Sequence, residues 1–512
     1  MGGAFAAGTG RRLESRGWRG AAALVAGALP ALAFPAPALW WFAYVALVPW
    51  LLLLRTARDG RRAAYDGWLG GAGFLLAAHH WLVPNLHVFI VLLAALLGLL
   101  WAPWGWLAHR MLTGSAARAL AAVAVVPAGW LVVELARSWQ GLGGPWGLLG
   151  ASQWQVPGAL RLASVGGVWF LSLLVVAVNT AVALLLAGAR WRRTGLAALM
   201  ACALAGLAVS RFTAAPEPAG SIRVAVVQPG VIHGAGARFA REEELTRKLA
   251  GRDVDLVVWG ESSIGADLAA RPEPARRLTG LSRQTGASLL VNVDARRADR
   301  PGIYKSSVLV GPDGLTGERY DKMRLVPFGE YVPFRSVLGW VTSVGEAAGE
   351  DRRRGTRPVV MDLPGSGGRP DARIGPLVCF ETAFPDMSRA LVRRGAQVLV
   401  AQSATSTFQQ SWAPEQHASL AALRAAETGR PMVHATLTGV SAVHGPDGGR
   451  IGAPLGTAVS GAAVYEVPLA AGATPYVRIG PWPVYLALVI LAARAGGEAW
   501  AAVRRFRTRK RP

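Results

Sequence analysis

Three residue types that together can carry out nucleophilic catalysis stand in separate stretches of this chain. Cys379 closes the apolar run Pro376-Leu377-Val378, Glu261 follows Leu256-Val257-Val258-Trp259, and Lys322 lies within Tyr320-Asp321-Lys322-Met323-Arg324. A thiol becomes a nucleophile when a base takes its proton, and a cation is needed where negative charge builds on the substrate oxygen. Glu261 as proton acceptor, Lys322 as oxyanion partner and Cys379 as nucleophile meet those needs without a metal. Each has a plainer reading when taken singly. A lone cysteine is often a small buried hydrophobe, and a lone Glu or Lys is usually a solvated surface charge.

The elements that must position these groups read as short apolar strands alternating with amphipathic helices from residue 221 onward. Strands are expected at Ile222–Gln228, Asp255–Trp259, Ser288–Val293, Arg373–Cys379, Val398–Ala401 and Met432–Ala435. A hairpin-like pair, Val308–Val310 and Gly314–Arg319, flanks the turn signal Pro312-Asp313-Gly314. Helices are expected at Arg238–Ala250, Pro274–Thr285, Met387–Arg394 and Pro414–Thr428. Interleaving of this kind predicts a layered α/β domain. Glu261 and Cys379 then fall at strand ends, where such sheets present catalytic groups.

The rest of the chain is too apolar for an ordinary soluble protein. Of 512 residues 52% are hydrophobic, and the apolar runs concentrate before residue 213 and again near the C-terminus. A crossing helix needs about 20 mostly apolar residues. Eight spans are expected, at about 21–35, 38–54, 65–84, 88–108, 119–136, 163–187, 194–212 and 478–496. The predicted organisation is a seven-span N-terminal domain (1–213), a catalytic domain (214–475), and a final span with a basic tail (476–512). Much of the net charge of +23 lies in arginines beside these runs, such as Arg55, Arg58, Arg61 and Arg62, or Arg190, Arg192 and Arg193. That placement marks topology rather than nucleic acid, for which no motif is present. The basic clusters put both termini in the cytoplasm and the catalytic domain outside. The two cysteines, Cys202 in an apolar run and Cys379, leave the α/β domain no disulfide or cysteine-rich zinc site.

Within the apolar part, His79, His80 and Asn179 fall at membrane depth or its edge, where an interfacial position or an interhelical hydrogen bond is favoured over a functional role. The stretch Leu142-Gly143-Gly144-Pro145-Trp146-Gly147 lies between two spans, and Trp146 is a candidate substrate contact.

The blocks around Glu261, Lys322 and Cys379-Phe380-Glu381 resemble the Glu–Lys–Cys blocks of the nitrilase superfamily. The segment from Lys322 through Phe334, with its Pro327-Phe328-Gly329-Glu330-Tyr331-Val332-Pro333, is more specific, and it resembles the bacterial apolipoprotein N-acyltransferases, membrane members of that superfamily. Gly144-Pro145-Trp146, Gly150-Ala151-Ser152-Gln153 and Gly166-Gly167-Val168-Trp169-Phe170-Leu171-Ser172 are similar in style to that family's membrane part. The resemblance implies an α-helical membrane bundle with an inserted nitrilase-like α-β-β-α sandwich. It also implies transfer of an acyl chain from a phospholipid, through a cysteine thioester, to a diacylated apolipoprotein. No cofactor is implied, and the enzyme would act as a monomer in the bacterial inner membrane.

Glu330, Phe380 and Glu381 match supporting positions, with a buried structural carboxylate as the alternative for the two acids. Two departures stand out: Gly260 where the family often has Pro, and Phe380 where it often has Tyr. The loop Gln402-Ser403-Ala404-Thr405-Ser406-Thr407-Phe408 lacks the usual Asn-Asp. Val337-Leu338-Gly339-Trp340-Val341 fits either a membrane-dipping lid, with Trp340 as a contact, or core packing. A membrane-tethered nitrilase or amidase acting on a small amide would use the same triad, but it leaves the bundle unexplained.

Overall fold

A computed structural model describes residues 16–213, 216–333, 335–338, 349–365 and 367–509. Trp340 lies outside the described residues. The chain divides into two compact units, one holding residues up to Ser152, Val168–Arg211 and Pro481 onward, the other holding Gln153–Gly167 and Phe212–Gly480.

The first unit is helical. Its helices are α1 (Arg16–Ala28), α2 (Val48–Arg55), α3 (Gly60–His79), α4 (Phe89–Gly98), α5 (Trp101–Leu112), α6 (Ala116–Arg137), α7 (Pro157–Leu186, broken at Gly167 and shared with the second unit), α8 (Ala189–Phe212) and a C-terminal helix, Trp482–Arg509. Among the described residues, four helices are long and apolar enough to cross a membrane alone: Ala117–Arg137, Pro157–Leu186, Ala189–Val209 and Trp482–Arg507. The pair α4 and α5, bent by 43°, makes a fifth candidate. The first three of the eight expected spans take another form. The run at 38–54 splits into a 3-10 turn, Trp40–Tyr44, and α2. Helix α3 has 20 residues, but it carries Asp66, which is buried between Arg19 at 2.7 Å and Arg62 at 2.8 Å.

Asn179 explains how the split run is tolerated. Its Nδ2 donates to the Ala43 carbonyl at 2.7 Å, and its Oδ1 accepts from the Leu47 N–H at 2.8 Å. Backbone groups freed between the two pieces are thus paired by one buried amide, as an apolar surrounding requires. Small residues bring α3 and α5 together: a Cβ on Gly67 would meet the Trp101 carbonyl oxygen at 2.6 Å. Trp50, Trp104 and Trp130 fill the core edge to face, with ring centroids 5.0–6.0 Å apart.

The second unit is a sandwich of two six-stranded sheets. The first sheet uses β1 (Glu217–Gln228), β2 (Leu256–Trp259), β3 (Ser288–Arg296), β4 (Ile303–Gly311) and β5 (Gly314–Asp321). The second uses β6 (Met361–Leu363), β7 (Ala372–Val378), β8 (Val398–Ser403), β9 (Met432–Thr436), β10 (Ser441–His444) and β11 (Arg450–Leu455), while β12 (Gly461–Ala471) returns to the first sheet. Strands β1, β2 and β3 run parallel, as do β7, β8 and β9. Both sets are buried on both faces and read as continuous apolar runs.

Helices α9 (Ala235–Arg247) and α10 (Pro272–Thr285) cover the outer face of the first sheet, where Phe239, Leu245, Leu278 and Leu281 pack on Val227, Val257, Leu289 and Val291. Helices α11 (Pro385–Arg393) and α12 (Ala413–Thr428) flank the second sheet. Buried Gln402 of β8 joins the sheets, donating to the Trp259 carbonyl at 2.8 Å and the Leu290 carbonyl at 3.1 Å.

Four strands were not legible from the residue pattern. β11 is mostly exposed, and β12 is rich in Gly and Ala, so neither shows the β-branched alternation that marks a strand. β6 has three residues, and β10 is a short strand of four. The expected strand at 308–310 begins earlier, at Ile303, which brings Lys305 into the sheet.

Candidate active site

Glu261 leaves the carboxyl end of β2, and Cys379 leaves the carboxyl end of β7. The two ends are tied across the sandwich where the Glu261 N–H donates to the Ser403 carbonyl at 3.1 Å. Gly260 makes that approach possible, since a Cβ there would stand 1.9 Å from the Leu437 nitrogen. The departure from proline at this position therefore has a steric reason in this chain. Lys322 follows β5, fixed by its N–H donating to the Lys305 carbonyl at 2.8 Å. Of the six described non-glycine residues at positive φ, three lie at this site: Ser262 after the glutamate, Phe328 in the lysine segment, and Cys379 itself at +50°. Clustered backbone strain is a mark of functional sites.

The charged groups form a closed ring. Lys322 Nζ donates to Glu261 Oε1 at 2.9 Å and to Glu330 Oε1 at 2.7 Å. Lys305 Nζ lies 2.9 Å from each of the same two oxygens. Glu330 Oε2 accepts from the Val326 N–H at 2.8 Å, which closes the Val326–Glu330 turn under the lysine. All four charged residues are buried or nearly so. Burial pushes the Glu261 carboxyl up, but the Lys305 and Lys322 ammonium groups outweigh it and hold it at about 2. Burial, with Glu261 adding to it, pushes the Cys379 thiol up to about 12 against the pull of Lys322 and Lys305. The resting pair is therefore a neutral thiol beside an ionised carboxylate.

Two supports set the cysteine. Glu381 Oε1 accepts from the Tyr320 hydroxyl at 2.7 Å and from the N–H groups of Met323 and Arg324 at 2.6 and 3.0 Å, while Oε2 accepts from the Val378 N–H at 2.8 Å. One buried carboxylate thus clamps the lysine segment to the strand that ends in the thiol. His417 on α12 lies with Nε2 3.0 Å from the Cys379 carbonyl. A carbonyl only accepts, so that nitrogen carries the hydrogen. Burial lowers the imidazole to about 4, so it is neutral at pH 7. Phe380 is buried edge-on against Phe384, with centroids 5.0 Å apart.

Glu261, Lys322, Cys379, Glu330 and Glu381 thus converge. Trp146 belongs to the helical unit, where it packs on Trp81 at 5.3 Å. Lys305 and His417 escaped the residue-level reading. Lys305 stands opposite Asp294 in the β3–β4 register, in a stretch with no apolar signal, and His417 sits in an otherwise ordinary helix.

The carbon-nitrogen hydrolase family matches residues 223–474, and the apolipoprotein N-acyltransferase N-terminal domain matches residues 26–181. An apolipoprotein N-acyltransferase of Azotobacter vinelandii is 33% identical over 531 residues, spanning 98% of each chain. The chain belongs to the apolipoprotein N-acyltransferase family. A relative of that name from Geobacter metallireducens is 30% identical, covering 82% of this chain and 84% of its own, and one from Pseudomonas aeruginosa is 32% identical, covering 93% and 95%. Among solved structures, Saccharomyces cerevisiae Nit3, of the nitrilase superfamily, aligns with 52% of this chain and 96% of its own, at 17% identity and a TM-score of 0.37. The two matched domains fall on the helical N-terminal region and on the nitrilase-like α/β domain of this chain.

Proposed function

We propose that this protein N-acylates lipoproteins, taking an acyl chain from a phospholipid and passing it through Cys379 to the α-amino group of an N-terminal diacylglyceryl-cysteine. The convergence of Glu261, Lys322 and Cys379 from three strand ends carries the reading, together with full-length similarity to relatives of that name. In the first step Sγ attacks the ester carbonyl while Glu261 takes the thiol proton. The carbonyl pair moves onto oxygen, where Lys322 stabilises it. The C–O bond then breaks, the proton passes to the leaving alkoxide, and lysophospholipid departs. In the second step the free amine attacks the thioester, Glu261 takes a proton from the nitrogen, the oxyanion collapses as the C–S bond breaks, and Glu261 returns that proton to the sulfur to regenerate the thiol.

Glu330 and Glu381 position the lysine and cysteine, and Phe380 packs beside them. Residues 1–213 and 476–512 would hold the membrane part, with 214–475 the catalytic domain. The basic loops support a topology with both termini in the cytoplasm and the catalytic domain outside the inner membrane, and in this reading the enzyme acts as a monomer without a cofactor. Trp146, in a stretch between two expected spans, and Trp340, in an apolar run, are the candidates for lipid contact.

The test is intact-protein mass spectrometry after incubation with phospholipid in detergent. Wild type should gain one acyl mass that a diacylated lipopeptide with a free amine then removes. Cys379→Ala should gain none, and acyl transfer by that variant would overturn the assignment.

A further inference from the structure

We propose that Lys305 is a positioning residue of this active site: it keeps both buried glutamates ionised around Lys322 and leaves one oxygen of Glu261 facing its work. The inference rests on the Glu261–Lys322–Cys379 reading. Glu261 Oε1, Lys305 Nζ, Glu330 Oε1 and Lys322 Nζ form a ring of alternating charge with every edge between 2.7 and 2.9 Å. Both lysines bind the same oxygen of Glu261, and Oε2 makes no hydrogen bond among the described residues. Oε2 is thus held by neither ammonium and is open to take the thiol proton, the doubly tethered Oε1 restrains the carboxylate, and the resting Cys379 Sγ stands 3.9 Å from the Ala404 carbonyl oxygen.

Charge balance gives the ring its chemical meaning. With Lys322 alone, one ammonium would face two carboxylates, and the buried site would carry a net negative charge both before and after attack, since the thiol proton stays on Glu261. Lys305 makes the ring neutral, so protonation of Glu261 turns the ring net positive as the negative charge moves to the substrate oxygen that Lys322 faces. Among the described residues, the other charged or titratable groups near Lys305 are Asp294 on β3, at 3.9 Å and itself held by Arg352 at 3.3 Å, and the neutral Cys379 thiol across the sandwich. Asp294 is too far from the ammonium to replace either glutamate as its partner.

The experiment uses the full chain in detergent with phospholipid and follows single-turnover acylation of Cys379 from pH 4 to 8. Removing one cation in contact with a buried carboxylate raises its pKa by about 1–3 units. Lys305→Met should therefore bring an acid limb into the window near pH 4–5, where wild type stays flat. Its neutral-pH rate should fall roughly 10- to 100-fold, short of the 10²–10³ typical of losing an oxyanion donor itself. Lys305→Gln, which keeps a hydrogen-bond donor without the charge, should show the same limb and covers the case in which the Met variant does not fold. Lys305→Arg should restore the flat profile. Either neutral variant with a flat profile and a rate within about twofold of wild type would overturn the proposal. Cys379→Ala in the same assay separates the two readings: acylation there removes the triad, whereas an inactive Cys379→Ala beside an unchanged Lys305→Met removes only the role of Lys305.

Discussion

At the scale of single residues, the site is set by burial working against charge. The thiol of Cys379 is raised by burial and by Glu261, so its thiolate is scarce at neutral pH. In a Cys202→Ala background, iodoacetamide should label Cys379 more slowly than a free thiol, without the usual rise through pH 8–9. Lipid substrate should acylate it readily over the same range. Rapid alkylation with a midpoint near 8.5 would contradict a raised thiol. Glu381 offers a second test. Glu381→Ala strands three N–H groups and the Tyr320 hydroxyl, and each unpaired buried group costs about 1–3 kcal/mol. Thermal inactivation temperature and acylation should fall together, while any residual activity keeps the wild-type pH profile.

At the scale of elements, close approach decides what each position tolerates. A Cβ at Gly260 would press on the backbone nitrogen of Leu437, which a flexible side chain cannot relieve. Gly260→Ala should therefore push β2 away from the end of β9 and displace Glu261, lowering acylation at least tenfold with the protein still folded, by far-ultraviolet circular dichroism. In the helical unit, Asn179→Leu removes the amide that pairs the backbone of Ala43 and Leu47. The expected loss is about 1–3 kcal/mol per orphaned group, read as a lower inactivation temperature in detergent with an unchanged pH profile of acylation.

At the scale of the whole molecule, the depressed Glu261 carboxyl predicts how acid destabilises the fold. An unfolded glutamate titrates near ~4.3, whereas the folded one is held far lower by two ammonium groups. Its contribution is present above about pH 5 and drains as pH falls from there toward the folded pKa. Glu261→Gln should flatten that part of the stability–pH curve. Topology is tested separately. Cysteine at Asp313, exposed in the β4–β5 turn, should react with an impermeant maleimide in intact spheroplasts, and cysteine at Arg504 only after permeabilisation. The reverse pattern would invert the assignment drawn from the basic loops.

The sequence by itself determined the family and the broad plan of a helical region with an α/β domain. Glu261 and Cys379 are legible because each follows a strand whose apolar run survives in the one-dimensional pattern, the parallel centre of each sheet being apolar on both faces, whereas Lys322 follows a largely polar strand and shows only through the motif around it. The apolar runs and their flanking arginines likewise show on inspection, because membrane helices satisfy their own backbone. Only the tertiary structure decided the rest. Lys305 entered the ring through a strand that starts five residues before the apolar signal at Val308, and His417 reached Cys379 from a helix 38 positions away. Gly260 acquired its reason from the backbone of Leu437 in the opposing sheet. Such contacts depend on how two sheets meet, and distance along the chain carries no trace of them.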